Sequence, residues 1–185
     1  MAEKQRRERR EKRREEEREE LDERVVDIRR VAKVIKGGRR FGFRTVVVVG
    51  DKQGRIGIGI GKSRAVPDSI RKANQKARAS LKKYELVEGT VPHAVTGEYG
   101  GSKVLLIPAA PGSGVIAGGG VRAVLEVVGV HNVLTKSQGS PNLLNVAMAT
   151  LDALNKIRGP QLLSEMRGKP IKEVSPVWMR RKGVS

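Results

Sequence analysis

The sequence predicts an α+β protein built of two small two-layer domains. Three observations point to this class. Before residue 85, three strand patterns are followed by one helical pattern, an order typical of a meander sheet with a helix across one face. After residue 91, strand and helix patterns alternate. Each unit holds only about 65 residues, and units of that size bury roughly 60% of their unfolded surface, so we expect partners to add stability.

Composition divides the chain into four segments. Residues 1–20 alternate Arg and Glu without an apolar face, which favours a disordered tail over a solvated helix. Residues 21–85 form the first predicted domain and residues 91–158 the second. Residues 159–185 are mostly polar with several cations, and we expect this extension to lie along a partner or to be mobile.

Strands in the first domain are marked by runs of apolar and β-branched residues between turn residues. Arg24–Val34 alternates imperfectly, Phe41–Val49 is the strongest strand pattern in the chain, and Arg55–Ile60 follows the turn Asp51–Gly54. One face of the third strand consists of glycines, which lets a helix or another backbone approach closely. These glycines are Gly57, Gly59 and Gly61.

A helix is predicted after the third strand. Pro67 suits a first helical turn, and Asp68 is favourable near the positive end of a helix. Apolar residues then recur at helical spacing and form one stripe. The stripe consists of Ile70, Ala73, Ala77, Leu81 and Tyr84.

The second domain begins with strands at Val95–Tyr99 and Ser102–Pro108. A glycine-rich loop at residues 111–120 leads into a helix that Gly129 is placed to end. The apolar stripe of that helix is Val121, Val124, Leu125 and Val128. A short strand is predicted at Val130–Thr135.

The last helix of this domain should begin at Ser140 and Pro141, which are a good N-cap and first-turn pair. Its predicted core face consists of Leu144, Ala147, Met148, Leu151 and Leu154.

Positive charge is concentrated in the first domain. The net charge is +18, and residues 21–85 carry eighteen Lys or Arg against six Asp or Glu. Such an excess destabilises a compact state unless an anion neutralises it, and nucleic acid and anionic membranes are the usual partners. No run of 18 apolar residues is present, and cysteine is absent, so we expect a cytoplasmic protein without a membrane partner. Aromatic residues make up only 3%, which favours phosphate and sugar contacts to folded RNA over base stacking.

The loop Lys36–Arg40 places two glycines between cations, so its backbone can lie against phosphate. An ordinary hairpin turn with solvated charges is the alternative, and the local excess of cations favours RNA contact. We predict RNA contacts from cations and from glycine backbones. These residues are Arg30, Lys33, Lys36, Gly37, Gly38, Arg39, Arg40, Arg44, Arg55, Lys62 and Arg64, together with Gly112 and Gly114.

Two glycine patterns resemble enzyme motifs, but both are incomplete. Gly61-Lys62-Ser63 resembles the end of a P-loop, yet Ile56 stands where that motif requires glycine. Residues 112–117 fit a dinucleotide fingerprint, but no acidic residue follows within residues 127–150. The favoured explanation of those glycines is close helix–strand packing, or backbone amides that face an RNA phosphate at a helix N-terminus.

Neither His93 nor His131 has a cysteine or a carboxylate cluster beside it in the sequence. We therefore predict no catalytic residue, no metal and no cofactor. From composition and these motifs, a free basic RNA chaperone and, less favoured, a dinucleotide-binding enzyme stay open as functions.

Several short stretches of the sequence are distinctive enough to be compared with known protein families. Residues 30–41 read RVAKVIKGGRRF, residues 108–119 read PAAPGSGVIAGG, and residues 129–134 read GVHNVL. They resemble the bacterial family of small-subunit ribosomal protein five, and the similarity runs from about Arg24 to Ile157.

This resemblance implies more than the residues alone. The first domain would be a double-stranded-RNA-binding-like βββα domain, and the second an α/β domain with a left-handed strand–helix–strand crossover, against the usual right-handed rule. The chain would bind small-subunit ribosomal RNA, contact small-subunit proteins four and eight, and border the channel through which messenger RNA enters, supporting accurate decoding. The side facing protein four would comprise Gly114, Ile116, Ala117, Gly118, Gly119 and Arg122.

Overall fold

A computed structural model describes residues 21–87, the first half, and residues 89–174, the second half. The predicted tail at residues 1–20 and the end of the extension, from residue 175, lie outside the described residues. The first half contains β1 (Asp22–Ile35), β2 (Gly38–Gly50), β3 (Arg55–Ser63), α1 (Val66–Ala79) and β4 (Lys82–Lys83). Its strands form one antiparallel sheet in the order β1-β2-β3-β4. The predicted order of three strands and a helix is confirmed.

The second half forms another four-stranded sheet, in the order β5-β6-β8-β7. Its elements are β5 (Val95–Tyr99), β6 (Ser102–Pro108), β7 (Val115–Ile116), α2 (Gly119–Val128), β8 (Val133–Gly139), α3 (Leu143–Lys156), α4 (Pro160–Arg167) and α5 (Ile171–Val174). β7 and β8 are parallel and are joined through α2, whereas the other pairings are antiparallel. The α+β class is confirmed, and the hand of the β7–α2–β8 crossover stays a prediction.

Glycines of β3 bring α1 directly against the strand backbone. A Cβ at Gly59 would lie 2.0 Å from the carbonyl oxygen of Ala73, and one at Gly61 would lie 1.9 Å from that of Ser69. Side-chain carbons do not approach oxygen so closely, so only glycine permits this helix position. The predicted close approach at the glycine face is confirmed.

α1 ends earlier than the apolar stripe predicts. After Ala79, the Ser80 hydroxyl donates to the Ile58 carbonyl at 3.0 Å, and the chain turns to add β4 to the sheet. The Tyr84 amide then donates to the Gly54 carbonyl at 2.8 Å. The prediction that Leu81 and Tyr84 belong to the helix was therefore wrong, because strand pairing with β3 replaces the last helical turn.

One buried cluster joins the two halves. Val48 and Ile56, on the face of the first sheet opposite α1, belong to the same cluster as Val124 and Leu125 of α2. Tyr84 is buried in it as well, and burial raises the pKa of its phenol. The halves therefore share this core, and each stabilises the other. A second, smaller buried cluster lies between the first sheet and α1.

The turn between β2 and β3 closes the end of α2. The Lys52 amide donates to the Val127 carbonyl at 3.0 Å, and the Gly54 amide donates to the Val128 carbonyl at 2.9 Å. These carbonyls would otherwise lack partners at a helix C-terminus. Gly129 follows with φ of 97° and ends α2 in the left-handed conformation, as predicted.

α3 begins later than predicted, and its buried face shares only Ala147 and Leu154 with the predicted core face. Its N-cap is Asn142, whose side chain accepts from the Leu144 amide at 3.3 Å, so the assignment to Ser140 and Pro141 was wrong. The buried positions are Val146, Ala147, Ala149, Thr150, Ala153 and Leu154, whereas the predicted Leu144, Met148 and Leu151 are half-buried. The reason is Gly97 of β5, where a Cβ would lie 2.1 Å from the Ala149 carbonyl, so small residues must face this strand.

Two further boundaries differ from the prediction. β8 runs Val133–Gly139 instead of Val130–Thr135, because the Val130 amide still donates to the Leu125 carbonyl at the end of α2. The two-residue β7 was missed within the glycine-rich loop. The described part of the extension, expected only to follow a partner or be mobile, contains α4 and α5.

Candidate nucleic-acid interface

The β1–β2 hairpin extends beyond the rest of its sheet. β3 pairs with β2 only as far as Phe43 opposite Ser63, so the end of the hairpin is two-stranded. We call this end, residues 31–42, the hairpin arm. Its tip is the turn at Gly37 and Gly38, with φ of 84° and 152°, and open space surrounds both glycines. The tip therefore needs glycine for its backbone conformation, and that backbone is accessible.

One face of the hairpin carries paired cations. Residues directly opposite in an antiparallel pair share a face of the sheet. Arg29 lies opposite Arg44, Lys33 opposite Arg40, and Arg44 opposite Lys62. We call these five residues the basic face. Four of them were predicted RNA contacts, whereas Arg29 was missed, although it shares the strand period of Lys33.

The other face of the hairpin holds an arginine stacked on a phenylalanine. The guanidinium carbon of Arg30 lies 3.9 Å from the ring centroid of Phe41, a cation–π contact. Phe41 is 52% exposed, and Val34, opposite Arg39, is 74% exposed. The predicted contacts on the arm thus divide between its two faces, with Lys36 beside the tip.

The last two predicted cations belong neither to the arm nor to the basic face. Arg64 directly follows β3 and is exposed. Arg55 begins β3 at the opposite end of the sheet, roughly 35 Å from Arg39 at a rise of about 3.3 Å per residue. There its Nε lies 3.5 Å from Asp51, so the structure separates this side chain from the arm.

The predicted glycine contacts of the second half already have a protein partner. The amides of Gly112 and Gly114 both donate to the side-chain oxygen of Asn132, at 3.0 Å and 3.2 Å. Asn132 was not predicted from the sequence. It fixes the loop that precedes β7, and in this arrangement the two amides do not face outward toward a phosphate.

The predicted protein-binding side lies next to that loop. Ile116 of β7 is 55% exposed and lies opposite Leu134, which in turn lies opposite Ile107 of β6. These three side chains form an exposed row, which we call the apolar row. Gly118 and Gly119 are exposed at the start of α2, and Ala117 packs against the core.

Arg122 is held by its own helix. Its Nε lies 3.1 Å from Glu126, four residues later on the same helix, and its guanidinium donates to the Val115 carbonyl at 3.4 Å. Glu126 also accepts a hydrogen bond from Arg24 of β1. This second contact links α2 to the first sheet and was not foreseen from the sequence.

Two carboxyl groups with lowered pKa lie on β5 and α3, outside the arm. The Lys103 ammonium bonds Glu98 at 2.8 Å and lowers the pKa of that carboxyl. Burial acts to raise the pKa of the Asp152 carboxyl. Lys156 at 2.6 Å and the Glu98 amide at 2.9 Å act in the opposite direction and together outweigh burial, so the pKa is lowered. These groups join β5, β6 and α3 and serve the fold.

The histidines make ordinary contacts. The Arg158 amide donates to His93 Nε2 at 3.3 Å, and the His131 amide donates to the Gly89 carbonyl at 2.7 Å. Within the described ranges, no three His, Asp or Glu side chains come close enough together to hold a metal ion. None of the described helices has the length and apolarity needed to cross a bilayer.

Family models match most of the chain. Residues 21–84 match the model for ribosomal protein S5, N-terminal domain, and residues 97–167 match that for ribosomal protein S5, C-terminal domain. The chain belongs to the ribosomal protein S5 family. This confirms the resemblance recognised in the motifs. The S5 family is a structural component of the ribosome, so the chain is not an enzyme and the dinucleotide-binding alternative is excluded.

Curated relatives in the S5 family are named small ribosomal subunit protein uS5. The relative from Tolumonas auensis is 51% identical over 154 residues, and that from Syntrophobacter fumaroxidans 49% over 154 residues. Each alignment covers 83% of this chain and 93% of the relative. The relative from Thermotoga maritima is 48% identical over 153 residues, which cover 83% of this chain and 86% of the relative.

Proposed function

We propose that the chain is a structural constituent of the small ribosomal subunit in the cytoplasm and binds small-subunit ribosomal RNA through the hairpin arm and the basic face. One observation carries this proposal. Three cross-strand pairs on the basic face join cation to cation, and like charges directly opposite each other destabilise a sheet. A polyanion seated on this face removes that repulsion, so binding and folding favour the same arrangement.

The mechanism is charge neutralisation combined with shape. A protein that meets about 6–10 phosphates loses roughly 10³–10⁵ in affinity between 50 and 200 mM salt, because counterions are released on binding. The arm is narrow enough for RNA to approach both faces and the glycine tip. Arg30, stacked on Phe41, presents a planar cation on the side opposite the basic face.

Protein contacts form the second part of the proposal. We infer that the region Gly114–Arg122 contacts small-subunit ribosomal protein four. The apolar row and the exposed glycines at the start of α2 support this. Exposed apolar side chains next to a backbone that carries no side chains allow another protein to pack closely. Contacts with protein eight, and with messenger RNA where it enters the subunit, extend the proposal from the family resemblance, as does a role in decoding accuracy.

A double variant tests the RNA proposal. Arg39→Ala with Arg40→Ala removes one cation from each face of the arm, because successive strand residues point to opposite faces. We expect weaker binding to small-subunit ribosomal RNA, a shallower dependence on salt and an unchanged circular dichroism spectrum. Lys82→Ala with Lys83→Ala is the matched control, since it removes two exposed cations from β4 at the other end of the sheet. Equal affinity and salt slope in the Arg39/Arg40 variant and the parent protein would refute the assignment.

Sedimentation separates the ribosomal role from that of a free RNA chaperone. The full chain should travel with small subunits through a sucrose gradient at high salt, because a built-in component is held by many contacts at once. Recovery of the chain only at the top of that gradient would favour the chaperone.

A further inference from the structure

We propose that Asp27 is a positioning residue that holds Arg29 and Arg44 side by side in the arrangement that receives an RNA phosphate. This inference rests on the proposed function of the basic face. It assigns a role in anion binding to an acidic side chain, which simple charge attraction would not select.

A bulge in β1 places Asp27 on the basic face. The register between β1 and β2 shifts between Val25 and Asp27, so one extra residue lies in β1 at this point. Successive side chains in a strand point to opposite faces of the sheet. One extra residue therefore moves every later side chain of β1 to the face opposite the one it would otherwise occupy. Asp27, Arg29 and Lys33 share the basic face as a result, whereas Arg24, also on that face, precedes the bulge.

Asp27 is a partly enclosed carboxylate between two guanidinium groups. Its side chain is 11% exposed, and its Oδ2 lies 2.8 Å from Arg29 Nε and 3.7 Å from Arg44 Nη2. The Arg29 N–H does not point at this oxygen well enough to form a hydrogen bond, and the Arg44 nitrogen is too far away for one, so both contacts are ion pairs. One negative charge thus offsets the repulsion between two arginines that lie directly opposite each other.

Arg44 depends on this contact for its position. It lies between Arg29 on one neighbouring strand and Lys62 on the other, so like charges flank it on both sides. Its Nε is buried and has no hydrogen-bond partner among the residues that the structure describes. In the same ranges, its ion pair is with Asp27. Without that carboxylate, repulsion from both flanks moves the guanidinium out of line with Arg29 and Lys62.

The direction in which one substitution changes RNA affinity distinguishes a positioning role from simple charge attraction. Asp27→Asn removes a negative charge from a surface that binds an anion, so charge attraction alone predicts tighter RNA binding. Positioning predicts the opposite, because the released Arg44 no longer meets its phosphate. We expect the Kd of the full chain for small-subunit ribosomal RNA to rise about three- to tenfold, and the salt slope to fall by about one. An unchanged or lower Kd would overturn the proposal.

Two controls complete the experiment. Glu98→Gln removes one exposed carboxylate from β5, away from the hairpin, and should leave the Kd unchanged or slightly lower. In an Arg44→Ala background, Asp27→Asn should cause little further loss, because the side chain that it positions is already gone. A full additional loss there would overturn the proposal.

Failure of this inference is distinguishable from failure of the proposed function. If Arg44→Ala weakens RNA binding but Asp27→Asn does not, the basic face binds RNA and only the positioning role is wrong. If neither variant changes the Kd, the assignment of Arg44 to RNA is itself wrong. Should Asp27→Asn not fold, Asp27→Glu decides, because it retains the charge and displaces the carboxylate. Its Kd should rise if position matters, and an unchanged Kd would overturn the proposal.

Discussion

The Lys52 amide donates a 3.0 Å hydrogen bond to the carbonyl of Val127, so a turn of the first sheet closes a helix of the second half. Helix C-terminal carbonyls are usually satisfied by water or by the chain that follows. Here residues more than seventy positions earlier in the sequence satisfy them, which ties the two halves at their backbones as well as through their shared core.

Gly129→Ala should weaken this connection. Gly129 has φ of 97°, and a Cβ there would lie 2.1 Å from the Lys52 carbonyl oxygen, so the substitution adds backbone strain and a clash. We expect the free energy of unfolding, measured with urea, to fall by at least about 1–3 kcal/mol. Gly119→Ala is the control, because open space surrounds that residue, and its stability should be unchanged or slightly higher. Equal stability of the two variants would contradict the geometry.

Gly59→Ala should push α1 away from β3. The added methyl would lie 2.0 Å from the Ala73 carbonyl, and a helix backbone cannot move aside as a flexible side chain does. A loss of at least about 1–3 kcal/mol is expected from overpacking, visible as a lower midpoint of thermal unfolding. Gly101→Ala, whose methyl would make an ordinary 3.5 Å contact with Ser140, should melt close to the parent protein.

Asn132→Ala should loosen the loop before β7. The variant loses the acceptor for the Gly112 and Gly114 amides, so hydrogen exchange at these two amides, followed by NMR, should become faster. Asn132→Asp retains an acceptor at the same place and should preserve the protection. If both variants exchange at the parent's rate, the loop is ordered by other contacts.

Acid should weaken the junction between β5 and α3. The pKa of Asp152 is lowered in the folded state, so the unfolded chain takes up its proton at higher pH than the folded chain. The resulting stabilisation is fully present above the ordinary carboxyl pKa of about 3.9 and is lost as pH falls through the lower folded value.

Asp152→Asn tests that dependence. Urea unfolding at pH 7 should show a less stable variant, and the difference from the parent should shrink between about pH 4 and pH 3. Glu165→Gln, which removes an exposed carboxyl on α4, should leave the pH dependence of the parent. A constant difference between Asp152→Asn and the parent across this range would contradict the assignment.

Local patterns predicted most of the strands and helices because they act over a few residues. Gly57, Gly59 and Gly61 occupy every second position of a strand. Their spacing alone therefore predicted a strand face without side chains, which a helix can approach closely. Gly129 follows an apolar stripe directly, and its role as a helix end is equally local. The positions of β5 and β6 were predicted to the residue for the same reason.

The errors arose where distant residues decide. The stripe through Leu81 and Tyr84 fits a helix, but Gly54 offers a backbone partner that favours an extended chain. Ser140 and Asn142 are both good N-cap residues, and packing of α3 against Gly97 decides between them.

The candidate site was predicted in composition but not in arrangement. The cations of residues 30–44 were named, yet the bulge at Val25 and Asp27 sets which of them share a face. In a sequence, a bulge shows only as an interruption in the alternation of apolar and polar residues. Arg24–Val34 has such an interruption, but it does not reveal which residue is the extra one. Asp27, Arg29 and Asn132 were missed because their importance lies in the neighbours that folding brings to them.

The shared core also bears on how the protein is made. Val48 and Ile56 are synthesised long before Val124 and Leu125, the residues that cover them. During translation, which proceeds at about 5–20 residues per second, the first sheet must therefore wait several seconds with an apolar side uncovered. A truncated product that ends before α2 would keep that side exposed permanently and would be prone to aggregation and degradation.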